Sequence, residues 1–378
     1  MAPLLSIVSV SSLLLCLGRQ AVATTQSLVV DNEPDHVRPY VIPHSHGFVV
    51  QAEDYAVGFP VTNTSTASAL SLITLAGPRS QQIPVHYHAQ YHETFFVAKG
   101  GLQLSVQNET RRLGPLDFAS VPVNQNHSFK IVEPDTEVIG VVAPGGFPFY
   151  QFVSTAFRSL NNAPWSSFKE FNLTKLELAV QDRAYYDYNP TNYSLDYHLV
   201  NGTTNPQVPW HNGENALPNA TVPYFIAGGW GPKWLQKQLG QVVALYMSTA
   251  ESNGRLTLST VTMQASNFNG SRPQVPEYTD ASVAQFLRVL EGQLFVEVDG
   301  AEAMLATGDT AVVPAGFKYK YWSKVSLTRF YTAAAVVPGS ESAVTGQKYL
   351  GLVRHLIPQS QATNEAVFPS VNARGSAV

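Results

Sequence analysis

The stretch "PVHYHAQYHETFFVAKGGLQLSVQN" (residues 84–108) carries the reading on which the fold turns. Two apolar runs, "TFFVAKG" and "LQLSVQN", flank Gly100-Gly101 and predict a β-hairpin. Further along, "QLFVEV" and "AEAMLA" flank Asp299-Gly300, a two-residue turn signal. Set against each other, residues 93–100 ("ETFFVAKG") and 285–292 ("QFLRVLEG") align at an offset of 192. The same offset carries Pro122 to Pro314, Asn124 to Gly316 and His127 to Tyr319. A constant spacing over two strand–turn–strand patterns predicts an internal duplication, hence an all-β chain of two related sandwich or barrel domains.

The domains are expected over residues 24–160 and 224–378. Residues 161–223, rich in Asn and Tyr, read as a long connection between them. Helical pattern is confined to residues 230–238 and 347–356. The composition agrees with many short strands and turns: 26 Gly, 25 Pro, 19 Phe and 17 Tyr in 378 residues. Charged residues are 13% of the chain, about half the usual share. A net charge of −4 gives no reason to expect nucleic acid or an anionic membrane as partner.

Residues 1–23, "MAPLLSIVSVSSLLLCLGRQAVA", have an apolar core and a small-x-small end at Ala21 and Ala23. That pattern predicts a cleaved secretory signal, and hence an extracellular protein. The single cysteine, Cys16, lies inside this leader, which leaves the mature chain without disulfides or thiolate metal ligands. Secretion gives weight to the N-x-S/T triplets at Asn63, Asn108, Asn126, Asn172, Asn192, Asn201, Asn219 and Asn269 as glycan acceptors. Asn126 is the weakest, since it adjoins His127.

The first repeat also concentrates metal-ligating residues. His86 and His88 are two apart, so on a strand their side chains leave one face. Glu93 follows five residues later and His127 thirty-four residues after that. Three imidazoles and a carboxylate suit a divalent transition metal with room left for substrate. An isolated H-x-H pair is usually polar surface; the spaced Glu and distant His within a repeated frame argue for a site. His92, beside Glu93, reads as a residue behind the ligands or at the surface. The second repeat has Tyr278, Asp280, Gln285 and Tyr319 in the four places, so one metal per chain is expected, in the first domain.

These residues resemble the cupin superfamily. Its motif H-x-H-x(3,4)-E-x(6)-G is matched by His86, His88, Glu93 and Gly100, and its second motif by Pro122 and His127. Leu116, Asn124 and Ile131 depart from that second motif at turn positions, whereas the second repeat keeps Gly308, Pro314 and Gly316. The resemblance implies a bicupin of two jelly-roll domains. Longer stretches, "PDHVRPYVI" (34–42), "PDTEVIGVVAPGGF" (134–147), "WHNGENAL" (210–217) and "PYFIAGGWGPKWL" (223–235), are similar to the secreted fungal quercetin 2,3-dioxygenases.

That resemblance implies a mononuclear copper site that opens the central ring of a flavonol with O2 and releases carbon monoxide and a depside. It places the ligands at His86, His88, Glu93 and His127. It also gives Glu93 the catalytic handling of the flavonol 3-hydroxyl proton, and puts substrate-pocket positions at Tyr55, Phe95, Phe129 and Phe147. A homodimer is a general expectation for such domains. Two other classes stay open on residue types alone: a bicupin enzyme acting on oxalate or another small enol, and a non-catalytic storage-like bicupin. The donor set by itself also suits Mn, Fe, Co, Ni or Zn.

Overall fold

The computed structural model describes residues 27–52, 55–146, 157–158, 187–199, 217–229, 231–236, 239–340 and 364–366. Among them the regular structure is entirely β. The first half contributes β1 (Tyr40–Ile42), β2 (Val49–Ala52), β3 (Tyr55–Val61), β4 (Ser71–Gly77), β5 (His86–Tyr87), β6 (His92–Lys99), β7 (Leu102–Val106), β8 (Glu109–Leu113), β9 (Phe118–Val121), β10 (His127–Ile131) and β11 (Thr136–Ala143). Three short strands follow: β12 (Phe157–Arg158), β13 (Asn189–Pro190) and β14 (Tyr224–Ile226). The second half contributes β15 (Lys233–Gln236), β16 (Gln241–Met247), β17 (Leu256–Met263), β18 (Phe268–Asn269), β19 (Arg272–Pro273), β20 (Val283–Glu291) and β21 (Leu294–Val298). It ends with β22 (Ala301–Leu305), β23 (Thr310–Val313), β24 (Tyr319–Trp322), β25 (Thr328–Val336) and β26 (Asn364–Ala366).

Each half is a two-sheet sandwich. In the first, an eight-stranded sheet ordered β12-β2-β3-β4-β11-β6-β9-β14 faces a five-stranded sheet ordered β13-β5-β10-β7-β8. In the second, the eight-stranded sheet β1-β23-β20-β25-β17-β16-β15-β26 faces β22-β21-β24. The strand pairs β6/β20 through β11/β25 keep the offset of 192 read from sequence.

The Asp299-Gly300 hairpin forms as expected, with Val298 opposite Ala301. The hairpin expected at Gly100-Gly101 does not. Strand β6 pairs with β9 and β11, while β7 pairs with β8 and β10, so the glycines carry the chain from one sheet to the other. The pairing partners of the two strands lie in different sheets, and glycine permits the close crossing between them. Gly100 adopts φ +71°, and a Cβ there would lie 2.6 Å from the Thr136 Cα. The helix expected over 230–238 is also corrected: Lys233–Gln236 is a strand, its register fixed by pairing with Gln241–Ala244 of β16. The other helical expectation, 347–356, lies outside the described residues.

Three apolar cores result. One fills the first sandwich around Phe95, Leu104, Phe129 and Val138. Another fills the second around Val261, Leu287, Val296 and Phe330. The third lies between the halves, where the outer faces of the two large sheets meet. Phe96, Phe118 and Ile139 pack there against Tyr246, Phe286 and Tyr331. Phe96 stacks on Tyr331 at 4.5 Å between ring centroids. Both faces of β6 and β25 are therefore buried, which explains their nearly unbroken apolar runs. Each such side chain contributes about 1.5–3 kcal/mol on burial.

Strand exchange ties the halves further and crosses the boundaries read from sequence. Strand β1, from the first half, pairs with β23 in the second sheet system. Strand β14, at the start of the second half, pairs with β9 in the first.

Candidate metal centre

Strand β5 presents His86, and the chain just beyond it presents His88. On the same small sheet, β10 opens with His127, which is the register partner of His86. Glu93 comes from the opposite sheet, on β6, so the four side chains meet across the sandwich. One potential ligand atom from each lies within 4.8 Å of the others. His86 and His88 are 4% exposed and His127 is wholly buried.

The backbone sets the imidazole tautomers. The Nδ1 of His86 donates to Pro84 O (2.8 Å), that of His88 to Asp187 O (2.6 Å) and that of His127 to Gln125 O (3.0 Å). A carbonyl can only accept, so each Nδ1 carries the proton and each Nε2 turns a lone pair inward. Glu93 Oε2 lies 3.0 Å from His127 Nε2 and 3.3 Å from His88 Nε2. Acceptors this close are stable only with a positive charge among them, a proton or a metal ion. The donor set therefore fits a divalent transition metal.

Burial works in opposite directions on these groups. It is the main cause that pushes the His86 pKa well below its usual range, with the neighbouring His127 and His88 adding to it. On Glu93 burial alone would raise the pKa, but without a metal a proton shared with His127 and His88 outweighs it, through hydrogen bonding and charge. The carboxyl is held well below the usual range. The site thus presents an ionised carboxylate beside His86, whose imidazole burial keeps neutral.

The residues expected to line a pocket are partly brought together. Phe95 and Phe129 stand two positions beyond Glu93 and His127, on the same inward faces, with ring centroids 5.4 Å apart. The Phe95 ring is 6.3 Å from that of His127. Tyr55 belongs to the same buried cluster. Phe147 lies outside the described residues. His92 is neither exposed nor behind the ligands: strand parity turns it toward the opposite face, where its Nε2 meets Ser120 Oγ at 2.8 Å. Burial lowers its pKa to about 4, so it is neutral.

Several residues of the site escaped the sequence reading. Tyr91 places its hydroxyl 2.9 Å from His88 Nε2 and stacks on that ring. Asp187, Tyr188 and Asn189 come from the segment read as a connection. Tyr188 packs on His86 at 4.6 Å, and Asn189 pairs with Tyr87 as strand β13. Only an Asn-Pro dipeptide and three tyrosines, Tyr185, Tyr186 and Tyr188, marked that stretch in the sequence, and neither feature signals an approach to residues a hundred positions away.

In the second sandwich Tyr278 and Tyr319 are bridged as His86 and His127 are. Their rings lie 5.4 Å apart, Tyr321 stacks on Tyr278, and Asp280 turns its carboxylate to the Ser282 N–H. Aromatic packing fills the place of the ligands.

The Cupin domain family matches residues 73–142, which run from within β4 to within β11 and include all four candidate ligands. Over 322 residues the chain is 35% identical to quercetin 2,3-dioxygenase of Aspergillus japonicus, covering 81% of this chain and 91% of that one. It is 24% identical to quercetin 2,3-dioxygenase of Bacillus subtilis (strain 168), covering 83% and 87%. Among solved structures it is similar to oxalate decarboxylase from Bacillus subtilis at pH 4.6 (TM-score 0.47, 14% identity, 88% and 86% covered). It is also similar to procruciferin, the 11S globulin of Brassica napus (TM-score 0.48, 11% identity, 81% and 85% covered). With 35% identity to the Aspergillus enzyme over most of both chains, and with a His-His-Glu-His centre inside its cupin domain, the chain belongs to the quercetin 2,3-dioxygenase family.

Proposed function

We propose that this chain is a secreted, copper-dependent dioxygenase that opens the heterocyclic ring of a flavonol such as quercetin, consuming O2 and releasing carbon monoxide and a depside. The observation that carries the reading is the convergence of His86, His88, Glu93 and His127 within 4.8 Å, in a chain 35% identical to a quercetin 2,3-dioxygenase. Copper is favoured because affinity among divalent first-row metals peaks at Cu(II) and imidazole suits it. Secretion is supported by the leader-like residues 1–23.

His86, His88 and His127 would hold the metal through Nε2, with Glu93 as the oxygen donor. The bound ion would supply a Lewis acid for the substrate oxygen and a redox centre for O2. Glu93 takes the proton of the flavonol 3-hydroxyl onto a carboxylate oxygen. Its contacts with His88 and His127 keep it ionised. Burial of the carboxylate favours its protonated form and so supports that transfer. The enolate so formed is electron-rich at the adjacent ring carbon, where O2 adds. Both oxygen atoms enter the depside, and the carbon that bore the hydroxyl leaves as carbon monoxide. Phe95, Phe129 and Tyr55 provide an apolar wall suited to a planar polyphenol.

A sealed-vessel assay of copper-loaded protein with quercetin tests this. Equimolar O2 loss and CO gain, absent in His86→Ala, are expected; oxygen loss without CO would overturn it. Glu93→Gln is expected to keep its copper and to lose turnover by about 10²–10⁴-fold, the usual worth of a general base. Full activity in that variant would remove Glu93 from the proton transfer.

A further inference from the structure

Asp187 lies ninety-nine positions from His88, is 1% exposed, and touches His88 and the two residues after it. Its carboxylate takes the Ala89 N–H on Oδ1 and the Gln90 N–H on Oδ2, both at 2.8 Å. Its own carbonyl takes the His88 Nδ1 proton at 2.6 Å. Asn189 locks the arrangement, its amide donating to Tyr87 O (3.2 Å) and to Asp187 Oδ1 (3.3 Å). The backbone of Asp187 has φ +49°, a left-handed conformation that Asp and Asn tolerate better than other side chains. A residue held there by both its carboxylate and its carbonyl fixes the position of the turn after His88 and the direction of the His88 ring together.

We propose that Asp187 is a positioning residue of the metal centre: it aims His88 Nε2 at the ion and makes a segment between the domains part of the site. The inference rests on metal binding by His88 and is independent of which substrate is used. Partners of metal-bound histidines commonly contribute about 10–100-fold to metal affinity. Asp187 reaches His88 through the carbonyl and secures that carbonyl with the carboxylate.

The test compares full-length parent, Asp187→Asn, Asn189→Ala and Val296→Ala, the last truncating a buried side chain of the second sandwich. Copper(II) affinity is measured by chelator competition, the Cu(II) hyperfine pattern by electron paramagnetic resonance, and the fold of the metal-free protein by thermal melting. Asp187→Asn keeps a residue type that tolerates positive φ but loses one of the two N–H acceptors. It is expected to bind copper about 10–100-fold more weakly with a shifted hyperfine pattern. Asn189→Ala should show a smaller loss in the same direction, and it decides the matter if Asp187→Asn fails to fold. Val296→Ala should lower the melting temperature with affinity and spectrum unchanged. If Asp187→Asn binds copper within twofold of the parent with the same spectrum, the proposal is overturned while the metal centre stands. If the parent takes up no copper, both fall.

Discussion

The two sandwiches are a controlled comparison within one chain. Their backbones agree in detail around the site. Asn124 N–H donates to His88 O at 2.6 Å, and Gly316 N–H donates to Asp280 O at 2.7 Å. Gly100 and Gly292 make the same positive-φ crossing between sheets, against Thr136 and Thr328 respectively. What differs is the side chains aimed into the mouth: two His, a Glu and a third His in one, and Tyr278, Asp280, Gln285 and Tyr319 in the other. The second differs also in what surrounds it, since Asp187 and Tyr188 wall the first site only. A cupin frame is thus held by turns and cores, and it tolerates either a charged centre or an aromatic plug at the same place.

The comparison can be broken most severely by exchanging its defining residue. His127→Tyr installs the side chain of position 319 and removes a donor. Copper binding should fall by more than about a hundredfold, beyond what loss of a ligand's partner costs. Turnover should vanish, with the melting curve displaced only by the overpacking, about 1–3 kcal/mol. Copper titration and thermal melting of the same sample check both halves. Retained copper would mean that His127 is not a ligand. Tyr319→His should create no tight copper site, because one imidazole among tyrosines is not a donor set.

A second pair of variants sharpens the structural half of the comparison. Gly100→Ala and Gly292→Ala each force a Cβ against backbone, 2.6 Å from Thr136 Cα and 2.3 Å from Leu327 O. Each should cost about 2 kcal/mol or more, which is roughly a 2–3 °C fall in melting temperature for a protein of this size. Comparable falls, with copper affinity unchanged, would establish that the crossings are equivalent. A strongly unequal pair would show that one frame has diverged.

The smallest effect concerns Glu33, on the N-terminal segment that leads to β1 and joins the two halves. Burial raises its pKa from 4.5 to about 7, opposed by hydrogen bonds from its own backbone and from Phe48 N–H. The folded protein therefore binds more protons than the unfolded chain between about pH 4.5 and 7. Stability is greatest below that window and declines as pH rises through it. Allowing for the partial exposure of the residue, the decline attributable to it is about 1–2 kcal/mol. Denaturant titrations of parent and Glu33→Gln at pH 5 and pH 7.5 should show a flatter dependence in the variant. An unchanged slope would remove Glu33 as its source.

Much of this was legible in the residues. The duplication could be read because strand spacing survives when side chains do not: the offset of 192 runs unbroken from β6 to β11. The clustering of the candidate ligands could be read because alternation on a strand places His86 and His88 on one side, with Glu93 and His127 at fixed spacing behind them. His92 was misplaced because parity across a loop of three residues cannot be counted when the strand ends inside it.

The all-β class, the two related halves and the four residues of the candidate metal centre were legible in the sequence alone, since periodicity, turn chemistry and donor type are local properties. Only the tertiary structure decided that the Gly100-Gly101 step crosses between sheets, that β1 and β14 are exchanged, and that Asp187 reaches back to His88. Each of these depends on which distant segment supplies a hydrogen-bond partner or fills a volume. Nothing within a few residues of chain encodes that choice; it is settled when the two large sheets close on one shared core.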